Sequence, residues 1–281
     1  MKQISRKFTS RDAKQCIIIP SEIDHKYSRG VLGVITGSAQ YPGAAVLTTA
    51  AATATGVGMV RFNSSSGLAH LVLHTTPEVV VQPGKVNAWL LGSGIERKKY
   101  KHFSTWLRHR WFVLARRQTV PTILDAGALY LAGTFEQPTL ITPHYGELAQ
   151  LLNARGMSVT AEAIEGNPKK WICIAVEKLS VTILLKGSRT LVANENFLYE
   201  LPLSTPWLAT AGSGDVLAGI IGSIVATNTI EILNDANRLV EAGATGALIH
   251  LLAAEKASNG GPISAQQIIS KIPEVIQKII K

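Results

Sequence analysis

Five short apolar runs in this 281-residue chain each stop abruptly at small or polar residues, and that recurrence constrains the fold more than any other feature. Residues 31–36 run into Gly37-Ser38, 89–91 into Gly92-Ser93-Gly94, and 122–124 into Asp125-Ala126-Gly127. Residues 140–142 run into Pro143-His144, and 181–185 into Lys186-Gly187-Ser188. Unbroken apolar runs of this length read as strands buried on both faces, because a half-exposed strand would alternate. The segments between them are long enough for crossover helices, so an α/β fold with a largely parallel central sheet is expected. In such sheets ligands gather at the carboxyl ends of the strands, where the Gly, Asp, His and Lys residues just named would lie. One shared site is predicted there.

The remaining sequence fills in the frame. Residues 191–201 carry two β-rich runs around a polar turn and read as a hairpin near the sheet edge. Residues 44–60 and 216–226 are apolar but too short, or too rich in Thr and Gly, for membrane spans; both read as buried helices. Helices are expected over 216–227 and 234–257, and Ser264 to Gln267 has the capping-box form that opens a last one. With 46% hydrophobic and 17% charged residues, one domain over 31–281 is expected, preceded by a polar arm over 1–30. The amino terminus meets charge before any adequate apolar segment, so no secretory signal is read and a cytoplasmic location is expected. Cys16 and Cys173 lack metal-ligand spacing and are expected as buried thiols. A net charge of +9 favours anionic partners, and phosphorylated metabolites satisfy it as well as nucleic acid does. The basic run 97–102, extended by Arg108, His109, Arg110, Arg116 and Arg117, reads as the solvated face of a helix with Trp106 and Trp111 turned to the core.

The most chemically pointed segment is Ala209-Thr210-Ala211-Gly212-Ser213-Gly214-Asp215, which leads straight into an apolar helix. Small residues at a helix start offer free amide N–H groups and the positive dipole end to an anion. A carboxylate there is either a general base for phosphoryl transfer or an ordinary capping residue. The turn from Gly37 to Ala45 brings small residues to a strand-to-helix junction, where a substrate can approach the amides of Gly43 and Ala44; an ordinary turn fits equally. It has neither Gly-x-Gly-x-x-Gly nor a Gly-Lys-Ser/Thr ending. Lys186 and Thr190 suit phosphate or ribose contacts, or a solvated turn. His144 suits a polar substrate or a structural role, with Glu147 supporting it or capping the helix that follows. Asp125 suits Mg²⁺ through water or simple turn chemistry, and His250 reads as structural.

Taken in order, these motifs resemble the ADP/ATP-dependent NAD(P)H-hydrate dehydratases, a branch of the ribokinase-like superfamily. The resemblance spans about residues 30–275. It rests on Gly37-Ser38 with Tyr41-Pro42-Gly43-Ala44, Leu124-Asp125-Ala126-Gly127-Ala128-Leu129, Leu140-Ile141-Thr142-Pro143-His144, Lys186-Gly187-Ser188-Arg189-Thr190, and the segment 209–219. It implies a three-layer α/β/α fold and repair of hydrated NADH or NADPH with ADP or ATP as co-substrate and Mg²⁺. It further implies Asp215 as catalytic base, and Ala44, Gly94, His144 and Asp215 as contacts to the hydrated dinucleotide. Lys186, Gly187, Ser188, Arg189, Thr190 and Gly214 would contact the nucleotide, and the amides of Gly212, Ser213 and Gly214 would form the oxyanion hole. No direct protein ligand to a metal is assigned. A homo-oligomer such as a tetramer is implied, with a separate NAD(P)H-hydrate epimerase as functional partner and neither nucleic acid nor membrane. The chain departs from the family at Ser93 and Tyr145, each replacing Pro, and in the lead-in Leu203-Ser204-Thr205-Pro206-Trp207. A vitamin or sugar kinase of the same superfamily, or a non-catalytic nucleotide-binding regulator, would retain much of this pattern.

Overall fold

The computed structural model describes residues 3–96 and 103–281. The first half runs β1 (Ile4–Lys7), α1 (Ser10–Lys14), β2 (Val31–Ile35), α2 (Pro42–Ala54), β3 (Met59–Phe62), α3 (Ser66–Thr75), β4 (Ala88–Leu91), α4 (Phe103–Ala115), β5 (Thr122–Leu124) and β6 (Thr139–Ile141). The second runs α5 (Tyr145–Asn153), α6 (Ala161–Gly166), α7 (Pro168–Leu179), β7 (Thr182–Leu185), β8 (Arg189–Ala193), β9 (Phe197–Leu203), α8 (Ser213–Thr227), α9 (Thr229–Asn234), α10 (Asn237–Ser258) and α11 (Ala265–Ile280). The strands form one sheet in the order β1-β9-β8-β7-β6-β5-β4-β2-β3. Only β8 runs against its neighbours; the other pairings are parallel.

All five predicted strands are present, and the reason is visible in their side chains. Leu32, Val34, Leu90, Ile123, Leu140 and Leu184 point to a layer built with α2, α8, α10 and α11. Their neighbours Val31, Ile35, Trp89, Leu91, Leu124, Ile141 and Ile183 point to the opposite layer with α5 and α7. Each face is buried, so each strand is apolar throughout, as parallel strands between helices must be. Helices α2 and α8 lie backbone to backbone: a Cβ at Gly219 would strike the Thr48 carbonyl and come within 2.9 Å of the Ala51 methyl. That contact brings the starts of both helices to the same end of the sheet.

The structure corrects the expectations for residues 44–60, for α4 and for Cys173. The apolar stretch 44–60 is not one helix: α2 stops at Ala54, Gly56 turns the chain at φ +99°, and β3 begins at Met59 to pair with β2. The hairpin over 191–201 forms near the sheet edge, as expected, one strand in from β1, which pairs in parallel with β9. On α4 the tryptophan expectation fails for Trp106, which is 37% exposed and lies under the Arg110 guanidinium, 5.1 Å from its ring centre. Arg108 and His109 are the buried groups instead, each 3% exposed, with His109 Nδ1 3.0 Å from the Tyr130 hydroxyl. The basic run 97–102 lies outside the described residues. Cys16 is buried and Cys173 partly so, both as free thiols. Among the described residues no helix is long and apolar enough to cross a membrane.

Candidate active site

The loop before α8 delivers an uncapped helix start. Gly212 is the N-cap residue with φ +85°, a conformation that favours glycine, and a Cβ there would also meet Leu47 Cδ1 at 2.5 Å. No side chain caps the first turn. Ser213 N–H turns back to the Thr210 carbonyl at 3.3 Å, and the amides of Gly214 and Asp215 follow in the same turn. Such a turn holds an anion through its N–H groups and the helix dipole. Behind it, Ser213 Oγ lies 3.4 Å from Nε2 of His250, a residue of α10 whose imidazole is pushed down to about 4 by burial, against a backbone hydrogen bond to Ser213 that favours its charged form.

Asp215 belongs to a group of charges gathered from several strand ends. Asp125, at the end of β5 and 4% exposed, accepts hydrogen bonds from Thr142 Oγ1 at 2.7 Å and Lys186 Nζ at 3.0 Å. Burial opposes ionisation of Asp125, but the Lys186 charge and the Thr142 and Lys186 hydrogen bonds outweigh it and hold its carboxyl below the ordinary range. Lys186, at the end of β7, also lies 3.8 Å from Glu147; burial would lower its ammonium, yet Asp125 and Glu147 raise it. Asp215 has the opposite environment. Burial first, and then the Asp125 charge, push its carboxyl up to about 7, with only Lys186 working to lower it. Two carboxylates with diverging proton affinities around one cation make an arrangement suited to acid–base work.

His144 is the N-cap of α5. Its Nδ1 accepts from the amides of Gly146 at 3.1 Å and Glu147 at 3.3 Å, while Glu147 Oε2 accepts from the His144 amide at 2.9 Å. With Nδ1 an acceptor, the geometry assigns the proton to Nε2. The side chain is 59% exposed. Lys186 N–H donates to the Pro143 carbonyl at 2.8 Å, so the β6 and β7 ends are joined directly.

The turns after β2 and β4, parallel neighbours in the sheet, lie at the same end of it. Gly94 (φ +64°) lies against the Ala44 methyl, leaving no room for a side chain. Gly37 N–H donates to the Ser93 carbonyl at 2.7 Å, and Gly92 packs on the Asp125 carbonyl and Ala128. Ala44 and Gly94 are therefore in contact, while Leu47, one turn further along α2, reaches Gly212.

Residues 186–190 form the tight β7–β8 connection. Gly187 lies against the Tyr145 hydroxyl, Ser188 is exposed, and Arg189 pairs with Glu200 at 2.9 Å. Thr190 continues along β8. Sequence reasoning missed Thr142 and the Asp125–Lys186 pair; the available signal was that both charges follow apolar strands flanking the one that ends in Thr142. Among the described residues no cluster of three His, Cys, Asp or Glu side chains suits a protein-held metal. A cavity of about 750 Å³ lies at the opposite end of the strands, lined by Thr139, Thr182, Asn194 and Asn237, and contains none of these charges.

Comparison with known proteins bears on this geometry. A family model described as NAD(P)H-hydrate dehydratase matches residues 32–274. The bifunctional NAD(P)H-hydrate repair enzyme of Mycobacterium tuberculosis is 37% identical over 224 residues, 74% of this chain and 43% of that protein. The chain thus spans less than half of that relative. The ADP-dependent (S)-NAD(P)H-hydrate dehydratase of Neisseria meningitidis is 30% identical over 275 residues, 90% of this chain and 85% of its own length. In fold, the chain superimposes with a TM-score of 0.82 on the Bacillus subtilis ADP/ATP-dependent NAD(P)H-hydrate dehydratase co-crystallised with ATP and Mg²⁺. That pair is 21% identical and covers 97% of this chain and 98% of the other. A hydroxyethylthiazole kinase from Pyrococcus horikoshii gives a TM-score of 0.62 at 16% identity, covering 97% of this chain and 94% of the other.

Proposed function

We propose, from the premise that this chain belongs to the NAD(P)H-hydrate dehydratase family, that it restores hydrated NADH or NADPH using an adenine nucleotide, with Asp215 as the base. The carrying observation is a carboxyl held near 7 in the same turn as an uncapped helix start. A base beside an anion-binding turn suits transfer of a phosphoryl group to a substrate hydroxyl. Asp215 takes the proton of the C6 hydroxyl, and that oxygen attacks the terminal phosphorus of ADP or ATP. The amides of Gly212 and Gly214, with that of Ser213 released from or shared with the Thr210 carbonyl, hold the charge that develops on the transferred group. Phosphorylation converts hydroxide, a poor leaving group, into phosphate. The ring nitrogen's electron pair then expels phosphate as the C6–O bond breaks, and loss of the adjacent C5 proton restores the dihydronicotinamide. The products are inorganic phosphate and AMP from ADP, or ADP from ATP.

The contact between Ala44 and Gly94 supports their assignment to the dinucleotide side. His144 joins them as a donor through Nε2. Gly187, Ser188, Arg189, Thr190 and Gly214 form the nucleotide side. Lys186 is the cation of the site, so its charge acts on Asp215 as well as on nucleotide phosphates. Magnesium fits this donor set in a particular way: it favours phosphate oxygens and water with one or two carboxylates, and so does not require the three-ligand cluster that the described residues lack. Asp125 and Asp215 are the carboxylates that would meet its hydration shell. When bound, the ion neutralises phosphate charge. A homo-oligomer, a cytoplasmic setting and a separate epimerase partner belong to the same reading.

The test is recovery of dihydronicotinamide absorbance when hydrated NADH is incubated with the protein, Mg²⁺ and either ADP or ATP. Recovery with ADP is expected. Failure with both nucleotides rejects the dehydratase reading, and a stable phosphorylated product would point to a kinase instead.

A further inference from the structure

We propose that His70 and His74 on α3 form a two-point site for a late first-row divalent cation such as Ni²⁺, Cu²⁺ or Zn²⁺. The residues are four apart on one helix and therefore share a face. Both are exposed. Their Nε2 atoms lie 3.3 Å apart, with ring centres 4.6 Å apart and the ring planes at 74°. Two Zn–N bonds of about 2.0–2.1 Å at a tetrahedral angle separate their nitrogens by about 3.3–3.4 Å, and at a right angle by about 2.9 Å. The two nitrogens, in hydrogen-bond contact with each other, already have the tetrahedral separation, and a bound ion would take the place of that contact.

Donor chemistry decides which ion is accepted. Imidazole nitrogen suits Zn²⁺, Cu²⁺ and Ni²⁺, whereas Mg²⁺ requires oxygen donors and releases its water reluctantly. The proposed α3 site and the Mg²⁺ of nucleotide chemistry are thus selective for different ions. No third His, Cys, Asp or Glu completes a cluster among the described residues, so water fills the remaining positions and affinity stays modest. Helix α3 packs on α2 and contributes none of the residues at the candidate active site. Its occupancy can therefore be read apart from turnover. Bridging successive turns, the ion would stabilise the folded chain by linkage.

The experiment is calorimetric titration of the full chain with Ni²⁺ and, separately, Zn²⁺ in excess Mg²⁺, alongside thermal unfolding with and without each ion. One ion per chain and an ion-dependent rise in Tm are expected. His70→Gln and His74→Gln should each weaken binding at least about tenfold and abolish the rise. A relocated pair, His74→Gln with Thr75→His, keeps the histidine count and should lose binding as well. Unchanged affinity in the single variants, or in the relocated pair, overturns the site. Competition by Mg²⁺ at comparable affinity would also overturn it.

Discussion

Helices α5 and α8 both begin beside the charge cluster, and their first turns differ chiefly at one position. Each has Gly as its second residue and a carboxylate as its third: Tyr145-Gly146-Glu147 in α5, Ser213-Gly214-Asp215 in α8. In α5 the N-cap is His144, whose ring accepts two of the free amides while Glu147 reaches back to close a capping box. In α8 the N-cap is Gly212, which has no side chain, and no cap forms. A self-satisfied first turn is scaffold; an unsatisfied one is open to an anion. The carboxylates differ in their surroundings as well. Glu147 is occupied by the His144 amide and Lys186, whereas burial and Asp125 leave Asp215 pushed up to about 7.

Removing the α8 carboxylate should produce the largest effect, in opposite directions for activity and stability. If Asp215 is the proposed base, Asp215→Asn is expected to lower turnover by about 10²–10⁴-fold, the usual contribution of a positioned base. In the folded chain the Asp215 carboxyl sits at about 7, above its ordinary 3.8. Between those values the unfolded chain has lost its proton while the folded chain retains it. Folding stability therefore falls as pH rises from about 4 to 7 and is level above. Asn removes that loss, so the variant should be more stable at pH 8 by roughly 1–2 kcal/mol after screening, and no more stable at pH 3.5. Urea unfolding at both pH values checks this. In the wild type, kcat/KM should rise with pH through about 7, because the base must be ionised to act.

The next test removes the cation between the two helices. Lys186→Met leaves Asp125 buried without its partner, at a cost of about 3–5 kcal/mol. Asp125→Asn combined with Lys186→Met should recover much of that stability. Where the single variant folds, the acid limb of kcat/KM should move to higher pH, since Lys186 favours the ionised form of Asp215. An unmoved limb would mean that Lys186 does not act on Asp215. Gly212→Ala comes third: it forces a methyl into φ +85° and against Leu47, costing roughly 1–3 kcal/mol, and should weaken nucleotide binding by distorting the open turn. Calorimetry with ADP reads the second effect.

How much of this the sequence disclosed depends on whether a feature is local. Strands β2 and β4 to β7 were legible because burial on both faces writes each as an apolar run. The α8 turn was legible because its glycines adjoin its carboxylate. Strand β1 was not, since Ile4–Lys7 is exposed throughout and becomes a strand only by pairing with β9 nearly two hundred residues away. Strand β3 was hidden because it continues the apolar composition of α2, with only Gly56 and Gly58 to mark the break. The Asp125–Lys186 pair depends on β5, β6 and β7 being neighbours, which composition does not specify. On α4, the solvated-face reading failed at Arg108 and His109 because packing partners, rather than residue type, decide burial. The His144 cap had a signal, a Glu three residues later, obscured because Ser, Thr, Asp and Asn are the usual caps.

The smallest effect separates the two roles open to His144. Its ring caps α5 through Nδ1, and its Nε2, 3.5 Å from Glu147 Oε2 on an exposed side chain, is the proposed donor to the dinucleotide. His144→Ala removes both functions and should cost about 1 kcal/mol of stability, the usual value of a cap. His144→Asn keeps a good cap and removes only the ring, so its stability should remain within a few tenths of a kcal/mol of wild type. If the ring contacts substrate, KM for the hydrated coenzyme rises in both variants while ADP affinity does not change. If KM rises only in the Ala variant, the cap accounts for all of His144, and α5 serves the site solely as scaffold. Either result sharpens the contrast with α8, whose first turn gives none of its amides to a side chain of its own.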